Sequence, residues 1–134
     1  MADIICVTAR NQHISPKKAR LVMNLIRSKS VESAQSQLKF IDKKASKMIL
    51  SLLNSAIDGA KAKNFNKEDL QVSLALCQEG RKLKRNHPNA RGRVNVFKKR
   101  MSHLKLSLSE AKKEEKKVDK RSQKSRKVEN GSKS

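Results

Sequence analysis

Ten basic side chains between Gly80 and Ser109 are the chemically most distinctive group in the sequence. No acidic residue lies between Glu79 and Glu110, so no carboxylate of this segment can neutralise them. Lysine and arginine are almost never buried without a partner, so these charges must lie in solvent or against a polyanion. A solvated, flexible basic loop is the alternative. The ten residues are Arg81, Lys82, Lys84, Arg85, Arg91, Arg93, Lys98, Lys99, Arg100 and Lys105.

The residues at both ends of this segment predict a long β-hairpin. Large apolar residues alternate with small or polar ones over 70–77 and again over 104–108, which is typical of half-buried strands. Turn-forming residues cluster between them, around Asn89. Arms of about 18 residues would reach roughly 60 Å at ~3.4 Å per residue. A domain of about 100 residues is only roughly 35 Å across, so the hairpin, about residues 80–100, should protrude.

The first predicted helix begins with an unusual, basic turn. Ser15 is a favourable N-cap and Pro16 a favourable first helical residue, and apolar residues then recur at helical spacing to about residue 28. The macrodipole prefers acidic side chains in the first turn, yet Lys17, Lys18 and Arg20 occupy it. Free amide donors together with basic side chains at the start of a helix form a natural phosphate-binding site. The alternative is that good helix formers simply lie on a solvated face.

The remaining pattern predicts an α+β fold. A second helix begins after Ser30 and ends near Phe40, and a third, capped by Asp42, has a regular apolar stripe from Ala45 to Ala60. A short β-branched run at 4–8 predicts a strand. We therefore expect three helices packed on a small three-stranded antiparallel sheet, with residues 1–109 as one domain. Residues 110–134 have too few apolar side chains to fold alone and should be a disordered basic tail.

Charge and composition point to nucleic acid and away from several other classes. The formal net charge is +21, concentrated after residue 79, and charge of this size favours an anionic partner. No leader, membrane-length apolar run or catalytic motif is present in the sequence. Cys6 and Cys77 each lie in an apolar run and are expected to be small buried residues of a reducing compartment. The histidines lack neighbours at metal-ligand spacing, so neither a metal nor another cofactor is expected.

Recognition through phosphates and shape is expected because aromatic residues are scarce. The sequence has no Trp or Tyr and 3 Phe, whereas many single-strand readers stack bases on aromatic side chains. Arginines 85, 91, 93 and 100 are candidates for bidentate phosphate contacts. Glycines 80 and 92 would allow RNA close to the backbone. A structured RNA is therefore the expected ligand, and an enzyme acting on RNA has no acid–base pair to support it.

Several motifs resemble a known family. Residues 14–22, ISPKKARLV, resemble the signature ISPRKARLV, and Ser55-Ala56-Ile57 fits SAIANA. Residues 79–103 resemble EGPxxKRxxPRAxGRAxxxxKRTSHI. The chain differs from that pattern at Arg81 in place of Pro, Asn89 in place of Arg, Val94 in place of Ala and Met101 in place of Thr. Over roughly residues 2–109 the chain is similar to the bacterial type of the large-subunit ribosomal protein twenty-two family.

The resemblance implies a structural, non-enzymatic protein of the cytoplasmic ribosome. It leaves open whether the chain is a bacterial or an organellar member of the family. Members bind large-subunit ribosomal RNA, aid subunit assembly and line the polypeptide exit tunnel with the hairpin, beside ribosomal protein four and the nascent polypeptide. No membrane or small-molecule substrate is implied. The implied RNA-binding residues are Arg10, Lys17, Lys18, Arg20, Lys82, Lys84, Arg85, Arg91, Arg93, Lys98, Lys99, Arg100 and His103. The implied tunnel-facing tip is Leu83, Lys84, Arg85, Asn86, His87, Pro88, Asn89, Ala90, Arg91, Gly92 and Arg93.

A DNA-bending architectural protein is the alternative function. Basic β-arms with Pro88 near the tip would insert into a minor groove and kink the duplex. This hypothesis explains the charge and the hairpin, but it does not account for the basic first turn at Lys17.

Overall fold

The computed structural model describes residues 5–110, and these form three helices and three strands. One short 3₁₀ turn precedes the second strand, and another forms the hairpin tip. The strands are β1 (Ile5–Gln12), β2 (Leu70–Pro88) and β3 (Val94–Glu110), and the helices are α1 (Pro16–Ile26), α2 (Val31–Phe40) and α3 (Lys44–Lys61). The predicted α+β fold with a protruding hairpin is therefore confirmed. The predicted tail lies, apart from Glu110, outside the described residues.

β3 is the central strand of the antiparallel sheet, with β1 and β2 on its two sides. β1 ends at Gln12, which lies opposite Ser102. β2 continues to pair with β3 as far as Pro88, opposite Val94. The sheet is consequently three-stranded at its base and becomes a two-stranded ribbon where β1 ends.

The core lies between the helices and one face of the sheet. Helix α1 contributes Val22, Met23 and Ile26, each at most 1% exposed, at the three- and four-residue spacing of one helix face. The apolar stripe of α3 is buried in the same way. The sheet contributes every second residue, as period-two alternation requires, except where a bulge between Val72 and Leu74 shifts the pattern in β2 by one residue. These sheet residues are Leu70, Val72, Ala75, Leu104, Leu106 and Leu108.

The outer edge of β2 is partly covered by α1 and the turn that follows it. Val72 exchanges backbone hydrogen bonds of 2.9 and 3.1 Å with this turn. Arg27 Nη2 donates to the carbonyl oxygen of Ala75 at 2.8 Å, and Arg20 Nε donates to that of Cys77 at 3.3 Å. An exposed edge strand is a site of unwanted strand pairing, so these arginines help to protect it.

Two details of the sequence prediction are wrong. The N-cap of α3 is Lys43 and not Asp42. The Lys43 N–H donates to Ile41 O at 2.9 Å in a tight turn after α2. This turn includes Asp42, so α3 begins one residue later than predicted. Cys6 is exposed and Cys77 is half-buried. The apolar run had suggested burial for both cysteines, but β1 turns every second side chain to solvent, and Cys6 falls in the exposed set.

Candidate nucleic-acid interface

Beyond the base of the hairpin, β2 and β3 form a two-stranded ribbon, residues 82–100. This ribbon is exposed along its length. Every residue from 81 to 100 is exposed, except half-buried Leu83. Its cross-strand pairs run from Lys82 opposite Arg100 to Pro88 opposite Val94. A two-stranded ribbon of this length has little stability of its own in water.

The pairing register places like charges directly opposite each other. Lys82 faces Arg100, and the next pair on the same side of the ribbon is Lys84 with Lys98. Opposed like charges destabilise a strand pair, and the ribbon itself has no carboxylate to separate them. The other side carries Leu83 with Lys99, Arg85 with Phe97 and His87 with Asn95. A polyanion lying along the side of Lys82 and Lys84 would relieve the repulsion.

Glu79 is the last acidic residue before the basic segment of the hairpin. Its carboxylate lies 2.9 Å from the Lys82 ammonium, with both side chains 45% exposed. The hydrogen bond from Lys82 and the charge of that residue lower the pKa of Glu79, and Arg100 and Arg20 act in the same direction. The carboxylate therefore stays ionised to lower pH than an ordinary glutamate and partly offsets the charge at the base of the ribbon.

A β-bulge sets the path of the chain at the base of the ribbon. Gly80 and Arg81 lie opposite Met101 alone, between the pairs Glu79–Ser102 and Lys82–Arg100. A Cβ atom at position 80 would lie 3.2 Å from the Met101 carbonyl carbon and oxygen. Glycine is therefore favoured here, because any other residue would push the two backbones a few tenths of an ångström apart. Bulges bend and twist a strand, so this one changes the course of β2 where the ribbon begins.

His103 joins this bulge to a second one in β1. Its Nδ1 accepts a hydrogen bond from the Asn11 N–H at 3.0 Å, and Asn11 has a left-handed backbone with φ 51°. The ring therefore carries its hydrogen on Nε2 when neutral, and Nε2 lies 3.3 Å from the Cβ position of Gly80. His103 was predicted to contact RNA. The structure also gives it a positioning role.

A basic cleft lies beside His103 on the face of the sheet away from the helices. It has a volume of about 570 Å³, and three cations from three different strands line it. Its lining is Thr8, Arg10, Asn11, Gln78, Arg81, His103 and Lys105. The sequence prediction of RNA-binding residues included Arg10 and His103 but missed Arg81 and Lys105. Only the strand register, which depends on the bulges, could have placed these four residues together.

The tip is a tight turn around Ala90–Gly92. The Asn89 N–H donates to Arg93 O at 2.7 Å, and Arg91 and Gly92 have left-handed backbones with φ of 60° and 69°. That conformation costs a residue with a side chain about 1 kcal/mol or more. The tip thus holds two exposed arginines and two exposed valines, Val94 and Val96, at 55% and 56% exposure.

The basic first turn of α1 is a separate group from the ribbon and the cleft. Within the described residues, Ser15 caps α1 by its backbone only, and no acidic residue lies in the first turn. Lys17 and Lys18 are exposed, and Lys18 shares a cavity of about 600 Å³ with Lys43 and Lys44. This cavity and the cleft at the base of the ribbon have no lining residue in common.

The described residues contain no group of three or more His, Cys, Asp or Glu that could hold a metal ion. No helix within residues 5–110 has the length and apolar character to cross a membrane.

Comparison with known proteins identifies the class to which this fold and interface belong. The family model described as ribosomal protein L22p/L17e matches residues 7–109, which include nearly all of the described structure. The class is therefore that of the ribosomal proteins.

Relatives named large ribosomal subunit protein uL22 narrow the assignment. The protein of a Thermoanaerobacter species is 42% identical over 103 residues, covering 76% of this chain and 93% of the relative. That of a Phytoplasma species is 45% identical over 102 residues, covering 75% and 79%. That of a Sulfurihydrogenibium species is 39% identical over 107 residues, covering 80% and 92%. The chain belongs to the L22p/L17e family of ribosomal proteins.

This membership confirms the family suggested by the motifs. It also confirms a structural role in the large subunit of the ribosome, in the cytoplasm, and not an enzymatic one.

Proposed function

We propose that the protein binds large-subunit ribosomal RNA chiefly through its basic ribbon. The observation that carries the proposal is the pairing of like charges at Lys82–Arg100 and Lys84–Lys98 in an exposed ribbon without acidic residues. Such a ribbon repels itself in isolation, and a polyanion removes that penalty. The RNA contacts include Arg85, which lies on the other side of the ribbon.

The body supplies two further groups of phosphate contacts. The cleft holds Arg10, Arg81 and Lys105. Because it lies at the base of the ribbon, one RNA segment could run from the cleft onto the ribbon. Lys17 and Lys18 stand at the exposed start of α1, where the helix macrodipole also favours an anion such as phosphate. Contacts on both faces of the sheet would fix different RNA segments relative to each other, which supports a role in subunit assembly.

The tip is proposed to line the polypeptide exit tunnel. The exposed arms of the ribbon, Lys82–Pro88 and Val94–Arg100, have seven residues each. They reach roughly 24 Å at ~3.4 Å per residue, so the ribbon could carry residues 83–93 into the RNA while the body remains at the subunit surface. Its partners there would be the nascent polypeptide and ribosomal protein four. The mixed basic and apolar character of the tip, with exposed Arg91 and Val94, suits contact with both RNA and peptide.

Cross-linking in assembled ribosomes tests this function. A photoreactive amino acid in place of Asn89 should cross-link to large-subunit RNA and to short nascent chains that are still inside the ribosome. The same group in place of Ser55, exposed on α3, is the matched control and should not reach short nascent chains. Cross-linking of short chains from position 55 but not from position 89 would refute the proposed orientation.

Competition binding separates this function from the DNA-bending alternative. Large-subunit RNA fragments should displace the full chain from a labelled RNA fragment at far lower concentration than duplex DNA of equal length. Equal or better displacement by the duplex would contradict the proposal and favour an architectural DNA-binding protein.

A further inference from the structure

The helical side of the molecule has an exposed aromatic side chain for which the ribbon-based function provides no role. Phe40, the last residue of α2, is 92% exposed, and no other large apolar side chain among residues 5–110 is as exposed. Leu21 and Leu25, one turn apart on α1, are 61% and 47% exposed. The buried sides of both helices face the core, so this apolar group is outward-facing.

The surroundings of Phe40 form a groove with a basic rim. A cavity of about 510 Å³ lies beside the ring, lined by Leu25, Lys29, Ser36, Gln37, Phe40 and Ile41. Lys39 is the exposed neighbour of Phe40 in the chain. Leu21, one turn before Leu25, lines the next cavity, together with Lys18, Lys43 and Lys44. Over residues 17–47 the sequence has nine basic residues and two acidic ones, Glu32 and Asp42.

This combination favours a flat, anionic ligand over a protein partner. A stable protein interface buries about 1,200–2,000 Å² and has few charges at its centre, whereas here three apolar side chains are surrounded by lysines. An almost fully exposed phenyl ring offers a face on which a nucleobase can stack, and ammonium groups at the rim can contact the adjoining phosphates. A nucleotide in a duplex has no free face to offer, so the base must be unpaired.

We infer that Phe40 is a stacking platform for an unpaired nucleotide of RNA, with Lys29 and Lys39 contacting its phosphates. The site lies on the helical side and is distinct from the ribbon and the cleft. It rests on the proposed function only in requiring that the natural ligand is RNA. It also adds a base contact to an interface that otherwise recognises phosphates and shape.

Binding of an oligonucleotide with and without bases tests the site. The probes are a 5-iodouridine-containing oligouridylate and an abasic oligomer of the same length and charge, titrated against the full chain. Phe40→Ala should weaken binding of the base-containing probe about fivefold or more, the loss expected for one stacked base, and leave the abasic probe unchanged. Phe40→Tyr should restore the difference. Phe40→Leu keeps an apolar side chain but removes the ring; as the matched control it should weaken binding as Phe40→Ala does.

Ultraviolet cross-linking of the iodinated probe locates the contact. Trypsin cleaves after Lys39 and Lys43, so the expected cross-linked peptide is residues 40–43. Phe40 is exposed, so its substitution should leave the circular dichroism spectrum unchanged, and this is measured for each variant. Equal weakening of both probes, or cross-links confined to the ribbon, would overturn the inference while leaving the proposed function intact. Failure of every form of the chain to bind either probe or ribosomal RNA would overturn both.

Discussion

Glycine at position 80 is favoured because two strands approach each other there so closely that a side chain would make a tight contact. The Cβ position faces the backbone of Met101 at 3.2 Å, and backbone atoms of a central strand cannot move aside as a flexible side chain can. Gly92 is different, since nothing lies within 4 Å of its Cβ position and only its left-handed φ of 69° favours glycine. The two glycines of the hairpin thus have different roles.

Substitution of these glycines should affect different parts of the molecule. Gly80→Ala should destabilise the fold by about 1–3 kcal/mol through overpacking, which for a domain of this size lowers the Tm by several degrees. Gly92→Ala, at the solvent-exposed tip, should strain only the turn and leave the Tm of the body nearly unchanged. Thermal unfolding followed by circular dichroism measures both. An equal or larger loss of Tm for Gly92→Ala would contradict the role assigned to Gly80.

The two cysteines also differ in a way that can be measured. Burial raises the pKa of the Cys77 thiol, while the Ser102 hydroxyl and the charge of Arg20 act in the opposite direction. Cys6 is exposed on β1. Because the thiolate is the reactive form, Cys77 should react with iodoacetamide more slowly than Cys6 near pH 8. Its rate should rise with pH up to its raised pKa.

Peptide mapping of partially alkylated protein measures the two rates separately. Unfolding in guanidinium is the control, since it should make the two rates similar. Faster modification of Cys77 than of Cys6 in the folded protein would show that Cys77 is more accessible than the structure places it.

At the scale of elements, the hairpin has two parts with different physical roles. From Leu70 to Cys77 and from Leu104 to Leu108 the arms supply core residues, whereas residues 82–96 supply none. β1 pairs with β3 only as far as Ser102. The same two strands therefore stabilise the body at one end and extend into solvent at the other, and the bulge at Gly80 separates the two parts.

Deletion of residues 82–96 should therefore leave the body folded. Residues 80, 81 and 97–101 would remain and form a short loop across the base. The core would keep all its side chains. The expected result is an unchanged helical circular dichroism signal and a Tm within a few degrees of that of the full chain, with most RNA affinity lost. An unfolded deletion variant would mean that the ribbon is part of the core, which would contradict this division.

At the scale of the whole molecule, charge is distributed so that folding and binding do not compete. Residues 1–79 have 13 basic and 7 acidic side chains, whereas residues 80–109 have 10 basic side chains and no acidic one. The core helices thus fold in a moderately charged segment, and the strongest repulsion is confined to the ribbon. Association with RNA should consequently release counterions mainly from ribbon contacts.

The salt dependence of RNA binding tests this distribution. Replacing Arg85 and Arg93 with Gln should reduce the slope of log K against log salt by about two units, roughly one per lost phosphate contact. Replacing Lys61 and Lys63, at the end of α3, with Gln removes the same charge away from the ribbon and is the control. Equal reductions for the two pairs would indicate diffuse electrostatic attraction and no ribbon-centred contact. Filter binding to a large-subunit RNA fragment between 50 and 300 mM salt provides the measurement.

The sequence alone determined the helices, the hairpin and the basic character of its arms. Local signals suffice for these features: helical spacing of apolar residues, period-two alternation, turn formers near Asn89 and a run without carboxylates. The motifs around Ser15 and Gly80 sufficed for the family. Each of these signals is carried by residues that are close together in the chain, so none of them required knowledge of what packs against what.

The tertiary structure alone decided which residues share a surface. The cleft of Arg10, Arg81 and Lys105 depends on bulges that shift the strand register, and local patterns do not specify a bulge. The exposure of Cys6 depends on which side of β1 faces the helices. Phe40 was only one of three phenylalanines in the sequence, and its 92% exposure depends on where α2 ends relative to the packing of α1. Such properties arise from contacts between distant segments, and packing determines them.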